Sequence, residues 1–145
     1  MRKGIASLCF LFCIGSLVAC SHPDSKIDEN NDVIAKGYKV SNLHKFEEFV
    51  TNVEKGEIDQ ICIVNYTHEG DPIFQTLKYD GKEISYTSDS SHDRFAGKDK
   101  RIYFDTCKRI IKDTREDIRY PLHDCAKEAG HNGYHLLSVQ QNKWD

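Results

Sequence analysis

Apolar residues recur along the middle of the chain with two different periods. Leu43, Phe46, Phe49, Val50 and Val53 fall three or four positions apart, which places them on one stripe of a helix, while Lys45, Glu47 and Glu48 lie off it. Ser41 or Asn42 is a residue type that caps a helix start, and Gly56 one that ends it, so the pattern predicts a core-facing helix running to about Lys55. Beyond Gly56 the period becomes that of a strand. Residues 58–67 contain Ile61-Cys62-Ile63-Val64, apolar on both faces, as an internal strand covered by the helix on one side requires. His68-Glu69-Gly70-Asp71-Pro72 reads as a turn. Residues 73–79 and 82–87 then read as a hairpin around Asp80-Gly81. A two-residue loop there would set Leu77 opposite Ile84, Gln75 opposite Tyr86 and Lys78 opposite Glu83.

Residues 88–100 form the longest polar stretch and read as a loop in which Asp93 and Arg94 pair locally and Phe95 turns inward. Residues 101–112 carry signals for both helix and strand. If they open a hairpin with Arg115-Glu116-Asp117 at its tip, Ile110 faces Leu122 and Cys107 falls opposite Cys125, close enough for a disulfide. Residues 134–140 read as a last strand with Leu137 and Val139 inward and His135 near the surface. Trp144 follows in a short polar tail.

The N-terminal end has a different logic. Arg2-Lys3 precedes an apolar run too short to span a membrane, and the run ends in Leu17-Val18-Ala19-Cys20. That motif resembles the lipobox of bacterial lipoproteins. The resemblance implies cleavage after Ala19, a signal peptide over residues 1–19, and acylation of Cys20, whose lipid chains anchor the protein to the membrane. Residues 20–31 are polar and read as a flexible tether with an r.m.s. span of about 20 Å, leading to a single domain over residues 32–145. Loss of Arg2 and Lys3 leaves 18 cations against 23 acids, a charge of −5 with neutral histidine. Net charge of that sign gives no electrostatic reason to bind nucleic acid or anionic lipid heads, so no nucleic-acid partner is expected. Cys9 and Cys13 leave with the leader and Cys20 carries lipid, so Cys62, Cys107 and Cys125 remain in a compartment that permits disulfides. Three is odd, so one thiol is left over. Cys62 reads as a small buried hydrophobe, since no basic setting is visible near it.

Candidate chemistry is sparse. Ser90, Ser91, His92 and Asp93 are adjacent, whereas a hydrolytic triad is assembled from separated positions. His123, Cys125, His131 and His135 could be written as a zinc set, but Asn132-Gly133 breaks the helix that would align His131 with His135, and there is no Cys-x-x-Cys pair. No catalytic residue, metal ligand or cofactor site is assigned. The best surface for recognition is the pair of polar loops holding Glu69 and Asp71 on one side and Asp89, Asp93 and Arg94 on the other.

The run Asp32-Val33-Ile34, then Leu43, Phe46 and Phe49, then Tyr66 through Ile73, resembles a group of small lipoproteins of Gram-positive, often spore-forming bacteria. Leu77 through Ile84, Asp89, Asp93-Arg94-Phe95-Ala96-Gly97 and Thr106-Cys107-Lys108 continue the likeness, which covers residues 32–140. Their shared domain has no assigned function, so the resemblance implies localisation and architecture but no reaction. The resulting expectation is an α+β domain, one principal helix on an antiparallel sheet of about five or six strands. It would stand on the outer face of the cell membrane as a non-enzymatic binding or accessory module, its partners the bilayer through Cys20 and an envelope protein or small envelope ligand. The alternative is an envelope hydrolase or a thiol-dependent enzyme.

Overall fold

The computed structural model describes residues 27–99, 101–127 and 133–141. The expected leader, Cys20, most of the expected tether, His131 and Trp144 lie outside these residues. Order begins earlier than residue 32. Asp28 accepts hydrogen bonds from the backbone N–H groups of Asn30 and Asn31, at 3.0 and 3.3 Å, and so builds a turn. Asn42 Nδ2 donates to the carbonyls of Glu29 and Asp32 at 2.9 and 2.7 Å, and Lys45 Nζ donates to that of Asn30 at 2.7 Å. Asn42 therefore does not cap the helix with its side chain as expected. Its amide serves the entry turn, and its backbone is left-handed with φ 58°.

Strands β1 (Val33–Lys36) and β2 (Lys39–Ser41) form a short hairpin, and helix α1 (Leu43–Lys55) follows. Phe46 and Phe49 are fully buried on the helix and Leu43, Val50 and Val53 pack beside them, the stripe that the sequence marks. The chain then runs through β3 (Asp59–Tyr66), β4 (Pro72–Tyr79), β5 (Ile84–Asp89) and β6 (Ile102–Cys107) as an antiparallel meander. The resulting six-stranded sheet has the order β2-β1-β3-β4-β5-β6. It is mixed rather than antiparallel, because β1 lies parallel to β3 with Val33 beside Ile63.

Strands β7 (Arg109–Ile110), β8 (Ile118–His123) and β9 (Tyr134–Val139) make a second sheet. Val33, Ile61, Ile63, Leu77, Ile84 and Tyr86 of the large sheet face the core from one side. Phe46 and Phe49 of α1 and Tyr120, Leu122, Leu136 and Leu137 of the small sheet complete it. The architecture is α+β with more β than expected, and the core lies between the large sheet and a layer shared by helix and small sheet.

The β4–β5 hairpin forms, but not with a two-residue loop. Asp80 Oδ1 accepts from the N–H groups of Lys82 and Glu83, both at 2.8 Å, and Asp80 N–H donates to the Glu83 carbonyl at 3.2 Å. Gly81 takes φ 95° inside this four-residue turn. Pairing resumes at Tyr79 with Ile84, so Leu77 lies opposite Tyr86, Gln75 opposite Ser88 and Lys78 opposite Ser85. The register differs by two from the expected one, and an even shift keeps every side chain on its predicted face.

The later expectations hold better. Residues 102–110 are extended, Ile110 pairs with Leu122, and Cys107 is bonded to Cys125. Cys62 is 5 % exposed in the middle of β3, as expected of a small hydrophobe. It is disulfide-bonded rather than a left-over thiol. In β9 both Leu136 and Leu137 are buried, because the register with β8 slips between Tyr120 and Pro121 and inserts one extra residue. Val139 is only half-buried.

Candidate functional site

Two loops meet at one end of the large sheet, the 67–71 turn between β3 and β4 and the 90–101 connection between β5 and β6. The register brings them together, since Tyr66 pairs with Pro72, Phe74 with Asp89 and Asp89 with Ile102. Asp71 is 4 % exposed. Its Oδ2 accepts the backbone N–H of Arg94 at 2.9 Å and its Oδ1 accepts Arg94 Nε at 2.8 Å, so one buried carboxylate fixes both the backbone and the side chain of the second loop. Thr67 holds Asp71 in turn, donating its N–H to the Asp71 carbonyl at 2.9 Å and accepting the Asp71 N–H on Oγ1 at 3.2 Å. Gly70 closes the turn at φ 87°, a left-handed conformation that glycine adopts without strain.

The second loop is built from its own side chains as well. Asp89 Oδ1 accepts the N–H of Ser91 at 2.9 Å, and Asp93 Oδ1 accepts those of Phe95 and Ala96 at 2.9 and 3.1 Å. His92 stands edge-on to Phe74 with ring centroids 5.6 Å apart. Asp71 and Arg94 are thus in direct contact, Asp89 and Asp93 lie in the same second loop as Arg94, and Glu69 is exposed on the first turn. Two details differ. Arg94 does not pair with Asp93, whose carboxylate serves its own turn, and reaches instead to Asp71, 23 positions back. Phe95 does not turn inward but is 68 % exposed.

A buried polar cluster between the two sheets escaped the sequence reading. Tyr134 OH donates to Asp105 Oδ2 at 2.7 Å and shares a 2.5 Å hydrogen bond with Tyr103 OH. Tyr86 stacks on Tyr134 with centroids 5.0 Å apart and accepts Gln75 Nε2 at 3.0 Å. Alternation along β5 and β6 places Tyr86, Tyr103 and Asp105 on one face, which is the only signal that could have found them. Burial pushes the Asp105 carboxyl up, but hydrogen bonds from Tyr134 and the N–H groups of Thr106 and Lys127 outweigh it and hold the pKa below the ordinary value. Burial raises the Tyr134 pKa, and Tyr103 and Asp105 raise it further. Since the folded pKa of Asp105 lies below the unfolded one, its contribution is complete above about pH 4 and is lost as pH falls through the folded value. Urea midpoints of the wild type should therefore fall below pH 4 more steeply than those of Asp105→Asn; parallel curves would contradict this.

Elsewhere the chemistry stays incomplete. Ser138 Oγ and His135 Nε2 are 3.2 Å apart on β9, but no carboxylate orients the ring among the described residues. Asp105, Cys107 and Cys125 gather within 4.8 Å, yet the two sulfurs are bonded to each other and offer no thiolate. A surface hollow of about 290 Å³ at the β7–β8 tip is lined by Asp113, Arg115, Glu116, Asp117 and Arg119. Four of its five charges are paired, Arg115 with Asp113 at 2.7 Å and Arg119 with Glu116 at 2.8 Å, and Asp117 is hydrogen-bonded to Tyr38. The side-chain and backbone bonds from Arg115 hold the Asp113 carboxyl down at about 2.

No curated protein and no solved structure matches the chain. A family model does, over residues 30–120, from the entry turn through β8 residue Tyr120. That span includes both loops and Asp71, Asp89, Asp93 and Arg94, and it stops short of Cys125 and β9. On that match the chain belongs to the family described as a domain of unknown function, DUF4362.

Proposed function

We propose that the protein is a lipid-anchored, extracytoplasmic binding or accessory module, with the 67–71 and 89–97 loops as its contact surface. One observation carries this reading: a buried carboxylate, Asp71, locks the two loops together while Arg94 keeps 71 % of its side chain exposed. Fixing a cation and its neighbouring phenylalanine at a loop crest costs conformational entropy, and a pre-organised polar surface lowers the cost of binding. Anchoring rests on the Leu17-Val18-Ala19-Cys20 motif.

The test combines acyl labelling with crosslinking from intact membranes. Fatty-acid label should enter the wild type and be absent from Cys20→Ser. A dominant protein partner should be recovered with the wild type and lost with an Arg94→Ala, Asp71→Asn pair that keeps the far-UV spectrum. Label in neither form would end the anchor reading, and equal recovery with both forms would remove the loops from the contact.

A further inference from the structure

We infer that the free margin of the large sheet, Phe95, Ile102 and Phe104 with the cations around them, is a docking surface for an anionic lipid bilayer. The inference rests on the proposed anchor at Cys20, which would keep the domain within a short tether of the membrane. Of the five large apolar side chains exposed among the described residues, three lie here, Phe95 at 68 %, Ile102 at 52 % and Phe104 at 57 %. Ile102 and Phe104 stand on the face turned away from α1, where Cys62, Val64 and Phe74 are buried, so the exposed apolar side chains are confined to the β6 margin. The register carries Ile102 through Asp89, Phe74 and Val64 to Ile34, and Phe104 through Thr87 and Thr76 to Cys62, all alternating with the residues that face the core.

Charge on this face opposes that of the whole chain. Its strands carry Lys36, Lys39 and Lys78 against one acid, Asp89. Lys98 and Arg101, next in the chain to Ile102, are exposed and form no ion pair among the described residues. Lys127 Nζ donates to the Phe104 carbonyl at 2.9 Å but lies over the Tyr103 ring, on the other side of β6, and is not one of these cations. Asp89 and Asp93 are occupied by the N–H groups of their own loop, and Asp71 balances Arg94. Asp28, Glu29, Glu47, Glu48 and Glu54 are exposed at the entry turn and along α1, while Glu69 is an exposed acid at the 67–71 turn. A net charge that predicts no attraction to lipid heads thus hides a lopsided distribution. Exposed apolar side chains rimmed by cations match the acyl boundary beneath anionic headgroups. One acyl chain anchors only marginally, so a second contact adds to hold and fixes orientation.

Depth-dependent quenching tests this on the full chain, reconstituted into phosphatidylcholine vesicles containing phosphatidylglycerol and brominated acyl chains. In a Trp144→Phe background, a tryptophan reporter is placed by Phe104→Trp or, on the outer side of α1, by Glu54→Trp. Quenching at 104 should exceed that at 54 at least about threefold, and the excess should fall by about half or more in pure phosphatidylcholine or with Lys98→Glu and Arg101→Glu. If Phe104→Trp disturbs the far-UV spectrum, Ile102→Trp serves instead. Equal quenching at both positions in chain that floats with the vesicles overturns this inference and leaves the anchor standing. Failure to float at all overturns both. An excess that persists for Cys20→Ser shows the surface binding lipid without the anchor, which supports the inference, while the anchor itself is decided by the fatty-acid label.

Discussion

Replacing Phe46 by alanine is expected to destabilise the fold by about 3–5 kcal/mol, the range for a fully buried phenylalanine whose cavity cannot collapse. Phe46 is 0 % exposed, and with Phe49 it is one of only two buried residues on α1. Its ring also meets Tyr120 of β8 edge-on, centroids 4.9 Å apart and planes at 75°, so the same side chain joins the helix to the small sheet. Loss of so central a group should lower the urea midpoint by roughly 2 M at an m value near 2 kcal/mol/M. Glu47→Ala, one position on and exposed, should shift stability by no more than about 0.5 kcal/mol. Faster amide exchange in β8 as well as in α1 would show the coupling between layers. A loss below about 1 kcal/mol would mean that neighbouring side chains refill the site, and the account of α1 as held by two rings would be wrong.

The second large effect is expected from the Cys107–Cys125 bond. It closes a loop with a sequence separation of 18 residues, for which restriction of the unfolded chain gives about 3 kcal/mol. Converting both residues to alanine should cost roughly that amount. The double variant is the right test, because Cys62 is disulfide-bonded as well and a reductant would act on more than one bridge. The bond ties the end of β6 to the segment that leads into β9, and Asp105, two residues before Cys107, holds Tyr134 of β9. Without the bridge the Tyr103–Tyr134–Asp105 cluster should loosen first, read as a change in near-UV circular dichroism before the far-UV signal changes. An unchanged urea midpoint would remove the bridge from the account of stability.

The parts legible in the sequence are those where a local pattern has one solution. The Leu43 to Val53 stripe has a single helical face, and Cys107 and Cys125 fall opposite each other once the hairpin tip is placed at Arg115-Glu116-Asp117. The β4–β5 register was not legible, for a definite reason. Both the two-residue and the four-residue turn put Leu77, Tyr79, Ile84 and Tyr86 on the core face, so burial cannot choose between them. What chooses is the Asp80 carboxylate, with two N–H groups in reach only if the loop is longer. Strand β1 was missed because it has only four residues, its hairpin with β2 is as short, and its pairing with β3 is parallel and crosses the helix. In the candidate site the positions of Asp71 and Arg94 were legible as polar loop residues. Their bond was not, because Asp93 stands next to Arg94 and only the structure shows it already engaged by the turn.

The parallel pairing of β1 and β3 also decides how the domain bears load. A pull transmitted from the N-terminal side enters at Asp28 and passes at once into β1. The loop crest at Asp71 and Arg94 lies beyond the far, C-terminal end of β3. Traction between those two points runs along the β1–β3 pair, Val33 beside Ile63 to Ala35 beside Asn65, and shears its hydrogen bonds together instead of opening them one at a time. A grip at the crest and a pull at the entry turn thus load the three residue pairs of β1 and β3 together.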